Sequence, residues 1–135
     1  MEHATLPSGL KIVTIDDDRL IADLLSHKLA AYPGVTLFHS FDGTSGLELV
    51  RKELPGVVVL DLALPGMSGT EVLAALKKDP MTAPIPVIIL SNFERDGDQN
   101  KVRELGAAHY LIKATSSLDE IVDAIASVVA NAPKT

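Results

Sequence analysis

Along the 135 residues, short runs of consecutive apolar positions alternate with stretches where apolar residues recur every third or fourth place. The runs Ile12-Val13-Thr14-Ile15, Val57-Val58-Val59-Leu60, Val87-Ile88-Ile89-Leu90 and Tyr110-Leu111-Ile112 predict strands. Their near-unbroken apolarity suits a parallel sheet covered on both faces. Val35 to His39 predicts one more strand, second in chain order, whose polar Thr36 and His39 mark it as the sheet edge. Leu20, Ile21, Leu24, Leu25 and Leu29 give a first helix that Pro33-Gly34 stops. A second helix spans about residues 44–53, before Pro55-Gly56. A third starts at the capping-box pattern Ser68-x-x-Glu71 and carries Val72, Leu73 and Leu76 up to Asp79-Pro80. The fourth, from Glu94 to Leu105, is mostly polar, contains Gly97 and closes on Gly106. The fifth opens at a second capping box, Ser117-x-x-Glu120, and aligns Ile121, Val122, Ile125, Val128 and Val129 on one stripe.

Regular alternation of strand and helix implies right-handed crossovers, and so helices on both faces of one parallel sheet. With the edge-like strand second in the chain, the expected fold is α/β: a doubly wound (βα)5, flavodoxin-like three-layer sandwich with sheet order 2-1-3-4-5. In that order the first and third strands are neighbours, and a crevice opens between their carboxyl ends. The polar residues that close the apolar runs would then share one rim. These are Asp16 and Asp17, Asp61, Ser91 and Lys113. The expected domain covers residues 11–130, with 1–10 and 131–135 as tails.

Composition narrows the function. Hydrophobic residues at 47% and charged residues at 22% are ordinary for a globular domain. A formal charge of −6 removes the basic face that a sequence-independent grip on nucleic acid needs. The chain has no cysteine, which excludes a disulfide framework and thiolate metal sites and is compatible with a reducing cytoplasm. The segment Met1-Glu2-His3-Ala4-Thr5-Leu6-Pro7 has neither the basic nor the apolar region of a signal peptide. No apolar run approaches the roughly 20 residues that span a bilayer. The expectation is a soluble cytoplasmic protein with no membrane and no direct nucleic-acid partner.

Four segments carry a resemblance. Ile15-Asp16-Asp17-Asp18, Leu60-Asp61-Leu62-Ala63-Leu64-Pro65-Gly66-Met67-Ser68-Gly69, Ile89-Leu90-Ser91 and Gly106-Ala107-Ala108-His109-Tyr110-Leu111-Ile112-Lys113 resemble the receiver domain of bacterial two-component response regulators, of the chemotaxis-receiver kind. The resemblance covers roughly residues 11–130. It implies a signalling phosphoprotein in which Asp61 accepts a phosphoryl group from a sensor histidine kinase or a histidine phosphotransfer protein. It also implies Mg²⁺ held by Asp17 and Asp61 directly, by Asp16 mainly through water, and by the backbone carbonyl of Ala63. Ser91 would be the switch hydroxyl, Lys113 the phosphate-contacting cation and Tyr110 the rotating aromatic. Such a chain is no enzyme beyond its own phosphorylation and dephosphorylation. It is expected to be monomeric when unphosphorylated, and then to control an unknown downstream protein through the 91–113 face. The alternative is the N-terminal receiver of a regulator with a DNA-binding or enzymatic output domain; the short tails favour a free-standing one.

The chemistry of the residues is consistent with those roles. Three carboxylates roughly 5–6 Å apart repel by about 3 kcal/mol per pair at an effective dielectric near 20. Such a cluster protonates or recruits cations. A hard cation preferring oxygen ligands is the natural guest, and Lys113 supplies the remaining positive charge. A transferring phosphoryl group spreads charge over three equatorial oxygens, which the metal, Lys113 and Ser91 could meet. Each residue alone has an ordinary reading. Asp16 and Asp17 could be helix-start acids, Asp61 a turn residue, Ser91 a loop hydroxyl, Lys113 a surface cation and Tyr110 a core or edge aromatic. Their coincidence at successive strand ends is what outweighs those readings. Asp18 reads as a helix-start acid, and His3, His27, His39 and His109 as structural or surface residues.

Rival classes lack parts. A haloacid-dehalogenase-type phosphotransferase needs a second acid two residues after its aspartate, where this chain has Ala63. A flavodoxin-like cofactor binder wants a Ser/Thr/Gly-rich phosphate loop, where this chain has Asp16-Asp17-Asp18-Arg19. Some positions also depart from the receiver pattern. Ala114 stands where most receivers have proline after the lysine, so a cis peptide is not expected. Asn92 stands where Ala or Gly is usual and would narrow access to Asp61. The fifth helix has acids and no arginine, which does not support the dimer of winged-helix regulators. The resemblance implies that residues 63 and 93 flank the approach of the hydrolytic water; Ala63 and Phe93 cannot orient it through their side chains, so slow self-dephosphorylation is expected.

Overall fold

The computed structural model describes residues 4–92 and 98–132. The strands are β1 (Lys11–Ile15), β2 (Thr36–Ser40), β3 (Val57–Leu60), β4 (Val87–Ser91) and β5 (His109–Ile112). The helices are α1 (Leu20–Leu29), α2 (Gly43–Glu53), α3 (Gly69–Lys78), α4 (Asp98–Glu104) and α5 (Leu118–Ala130). All strand pairs are parallel and the order is β2-β1-β3-β4-β5, as the edge character of β2 implies. β2 sits one residue later than the apolar pattern suggests, because Val35 only borders the ladder while Ser40 pairs with Ile15. Of the expected fourth helix, Asp98–Glu104 is observed, and Glu94 to Gly97 lie outside the described residues.

Two-residue periodicity divides the strands between two cores. Val13, Ile15, Val58, Leu60, Val87 and Ile89 face α2, α3 and α4 through Leu47, Val50, Val72, Leu73, Leu76 and Val102. Ile12, Val57, Val59, Ile88 and Leu90 face α1 and α5 through Leu25, Leu29, Ile121, Val122 and Ile125. The strands of β3 and β4 are buried throughout, which is why they read as continuous apolar runs.

Both capping boxes form. Ser68 Oγ accepts from the Glu71 N–H at 3.2 Å, and Ser117 Oγ accepts from the Glu120 N–H at 3.1 Å. In each, the glutamate reaches back to the serine N–H. Helix α2 starts one residue earlier than expected, because Asp42 caps it by accepting from the Ser45 N–H at 2.8 Å. No helix among the described residues is long and apolar enough to cross a membrane.

Candidate functional site

The rim of the sheet is built by backbone ladders that run past the strands. Asp61 N–H donates to the Ile15 carbonyl and Asp16 N–H to the Ser40 carbonyl, both at 3.0 Å. Lys113 N–H donates to the Ser91 carbonyl at 3.1 Å. The acids and the lysine therefore leave the sheet from registered positions. The loop after Asp61 turns at Pro65-Gly66, where Gly66 has φ +70°, a conformation that favours glycine. The chain then comes back so closely that α3 starts against the backbone of Asp61 and Leu62. A Cβ on Gly69 would collide with the Asp61 carbonyl and come within 2.6 Å of the Leu62 Cα.

Four of the predicted side chains meet directly. Lys113 Nζ donates to Asp16 Oδ2 at 2.6 Å and to Asp61 Oδ2 at 3.0 Å. Ser91 Oγ donates to Asp61 Oδ1 at 2.8 Å, and the Ala63 N–H donates to the same oxygen at 3.2 Å. Asp16, Asp61 and Ser91 are buried, while Asp17 is exposed at the mouth. One carboxylate oxygen from each of Asp16, Asp17 and Asp61 lies within 4.8 Å of the others. An all-oxygen set of this size fits a hard divalent cation. Three carboxylates against one ammonium also leave two negative charges for such an ion to offset.

Burial pushes the Asp16 carboxyl above its ordinary value, opposed by the Lys113 hydrogen bond and the Asp18 N–H and reinforced by the Asp61 charge. Burial alone would weaken the Lys113 ammonium. Its hydrogen bonds to Asp16 and Asp61, and their charges, reverse that and hold its pKa above the usual lysine value. His39, on the neighbouring strand β2, is lowered by burial against the pull of Asp16. Its Nδ1 lies 2.7 Å from Thr14 Oγ1, which makes it a structural histidine.

Other expectations resolve individually. Asp18 accepts from the Leu20 N–H at 2.9 Å and is a helix-start acid. Asp16 also serves the local turn, accepting from the Asp18 N–H at 2.9 Å, but it lies ahead of α1, whose N-cap position is Arg19. Ser91 is the last residue of β4 and not a loop hydroxyl. Tyr110 is half-buried, packed on the α4 side of the sheet. It lines a cleft of about 140 Å³ with Gln99, Val102, Arg103 and Ala107. Phe93 lies outside the described residues. Asn92 gave no signal in sequence beyond its bulk. Its Oδ1 accepts from the Ala114 N–H at 2.6 Å, a pairing 22 residues apart that local pattern cannot reveal.

Comparison with known proteins agrees with this architecture. The family model described as "Response regulator receiver domain" matches residues 12–126, and the chain belongs to that family. It is 36% identical over 104 residues to response regulator PleD of Caulobacter vibrioides, covering 76% of this chain and 22% of PleD. The chain thus spans about a fifth of that relative's length. Among solved structures, the receiver domain of the Francisella response regulator 1452 superimposes with a TM-score of 0.80 at 28% identity. That match covers 90% of this chain and 98% of the other. The Mn²⁺-bound form of response regulator Rcp1 matches with a TM-score of 0.76 at 27% identity, over 87% and 92% of the two chains.

Proposed function

We propose that this receiver domain accepts a phosphoryl group on Asp61 from a sensor histidine kinase or a histidine phosphotransfer protein, in the cytoplasm. The observation that carries the reading is the double grip on Asp61. Ser91 holds one carboxylate oxygen and Lys113 the other, beside two further acids. In the transfer, an Asp61 oxygen bonds to phosphorus as the P–N bond to the donor imidazole breaks. The imidazole leaves with the electron pair and takes a proton from solvent. Lys113 and Ser91 are the donors available to the phosphoryl oxygens, and both already lie against Asp61.

Asp16, Asp17 and Asp61, with the Ala63 carbonyl, would hold Mg²⁺. The response regulator Rcp1 has been solved in a Mn²⁺-bound form, and Mn²⁺ is a cation of similar oxygen preference. When bound, the ion offsets the carboxylate charge and that of the incoming phosphoryl group. Phosphorylation would draw Ser91 toward the phosphoryl group, let Tyr110 turn inward and alter the 91–113 face for a downstream protein. The unit that does this is residues 11–130, a monomer at rest that catalyses only its own modification. A second reading is a receiver belonging to a longer regulator, and the much greater length of PleD favours it.

Intact-mass measurement with acetyl phosphate tests the acceptor. The wild type should gain one phosphoryl group only with Mg²⁺, and Asp61→Asn none. Equal modification of Asp61→Asn would end the assignment.

A further inference from the structure

Just beyond β4 and β5, a side-chain contact joins the segments that follow Ser91 and Ile112. Asn92 Oδ1 takes the Ala114 N–H at 2.6 Å, while the Lys113 N–H is held by the Ser91 carbonyl at 3.1 Å. The amide on each side of the Lys113 α-carbon is therefore anchored to β4 or its continuation. That fixes the direction from which the lysine side chain reaches Asp16 and Asp61. After Ala114 the chain folds back on itself, with the Thr115 and Ser116 N–H groups both donating to the Ile112 carbonyl at 3.2 and 3.0 Å. The β5–α5 connection thus hangs on Ile112 and on the Asn92 contact. A proline at position 114 would fix the backbone by its ring and offer no N–H. Alanine does neither, and here its N–H is the group that Asn92 holds.

We propose that Asn92 is a positioning residue for Lys113. By holding the Ala114 N–H it sets the reach of the ammonium to Asp61, and so the rate at which Asp61 is phosphorylated. This rests on the reading of Asp61 as phosphoacceptor. The competing idea is that Asn92 acts by bulk at the mouth of the site. Asn92 is exposed, and its carboxamide oxygen is engaged by the Ala114 N–H.

The two ideas separate in a double-variant comparison. Phosphorylation by acetyl phosphate with Mg²⁺ is followed in wild type, Asn92→Ala, Ala114→Pro and the double variant, with amide exchange and the Lys113 ammonium NMR signal read alongside. Asn92→Ala is expected to slow phosphorylation by about tenfold, as displaced positioning groups do. It should also speed exchange of the Ala114 amide and shift the Lys113 signal. In the Ala114→Pro background the same change should have no further effect on rate. An unchanged or faster Asn92→Ala would overturn the proposal, as would an equal slowing in both backgrounds. Should Ala114→Pro fail to fold, the Ala114 exchange and Lys113 signal of Asn92→Ala still decide, and an unmoved Lys113 signal overturns it. A wild type that takes no phosphoryl group, with the Lys113 signal still shifted by Asn92→Ala, would remove the phosphoacceptor reading and not the contact.

Discussion

Asp16 is pulled two ways. Its burial favours the protonated acid, and its contact with Lys113 favours the carboxylate; burial together with the nearby Asp61 charge prevails, so its pKa lies above 3.8. The folded state then binds more protons than the unfolded chain between pH 3.8 and the folded value. The contribution of Asp16 to stability therefore falls as pH rises through that window. Lys113 titrates in the same sense but at far higher pH. Its stabilising share is intact below pH 10.5 and disappears only as pH climbs past its raised folded value. Asp16→Asn removes the acid's liability at neutral pH while Asp61 still partners Lys113. In metal-free urea unfolding, that variant should gain on the wild type as pH rises from 4 to 7. Added Mg²⁺ should stabilise the wild type by mass action and close the gap. A wild type that gains on the variant across this range without metal would contradict the account.

Helix ends show what the chain makes legible and what it hides. The starts of α3 and α5 are readable because a capping box is written within four residues, and both boxes form. The strand ends are readable for a similar reason, since a polar residue stops each apolar run. The cap of α2 was missed, because Asp42 has no glutamate three residues on to complete the pattern. The contacts of Lys113 span 97 and 52 residues, so sequence offered the residue and only the sheet order brought it to the acids. The close approach of α3 to Asp61 at Gly69 is likewise a packing fact without a local signature. The end of α2 is the least economical local choice. Leu54 sits at φ +45°, the left-handed region, with its side chain 44% exposed. A side chain there costs about 1–2 kcal/mol, and glycine is the residue that avoids it. Leu54→Gly relieves that strain but gives up the burial of just over half a leucine and adds unfolded-state entropy, so these terms nearly cancel and stability should change by less than about 1 kcal/mol. Thermal melting checks this, and a much lower midpoint for the variant would show that packing of Leu54 outweighs the backbone strain.

At the scale of the whole molecule, the site and the α4 side of the sheet are joined through two adjacent strands. Ser91 closes β4, Tyr110 lies in β5, and the register sets Ile89 opposite Tyr110 and Ser91 opposite Ile112. At rest the Ser91 hydroxyl is spent on Asp61, so a phosphoryl group there offers it a new acceptor one bond further out. The side of the sheet that would respond is lightly held. Helix α4 has seven residues, and Val102 is its buried apolar anchor among the described positions. An element with so few buried contacts opens at low cost and is the first to feel a small bias. The cleft between Tyr110, Gln99, Val102 and Ala107 leaves about 140 Å³ beside the ring. Phosphorylation should then act by shifting a pre-existing equilibrium, with the largest change at the site and along β4, α4 and β5. Helix α1 and β2 should change little, because the β1–β2 ladder and the α1–α5 core do not depend on Ser91. Hydrogen exchange with and without beryllofluoride and Mg²⁺ measures this directly. Altered protection across residues 98–113 is expected in the wild type and should be lost in Ser91→Ala, which still has Asp61 and Lys113 to bind the mimic. Protection changes confined to the neighbourhood of Asp61, or an undiminished response in Ser91→Ala, would sever the link between acceptor and face.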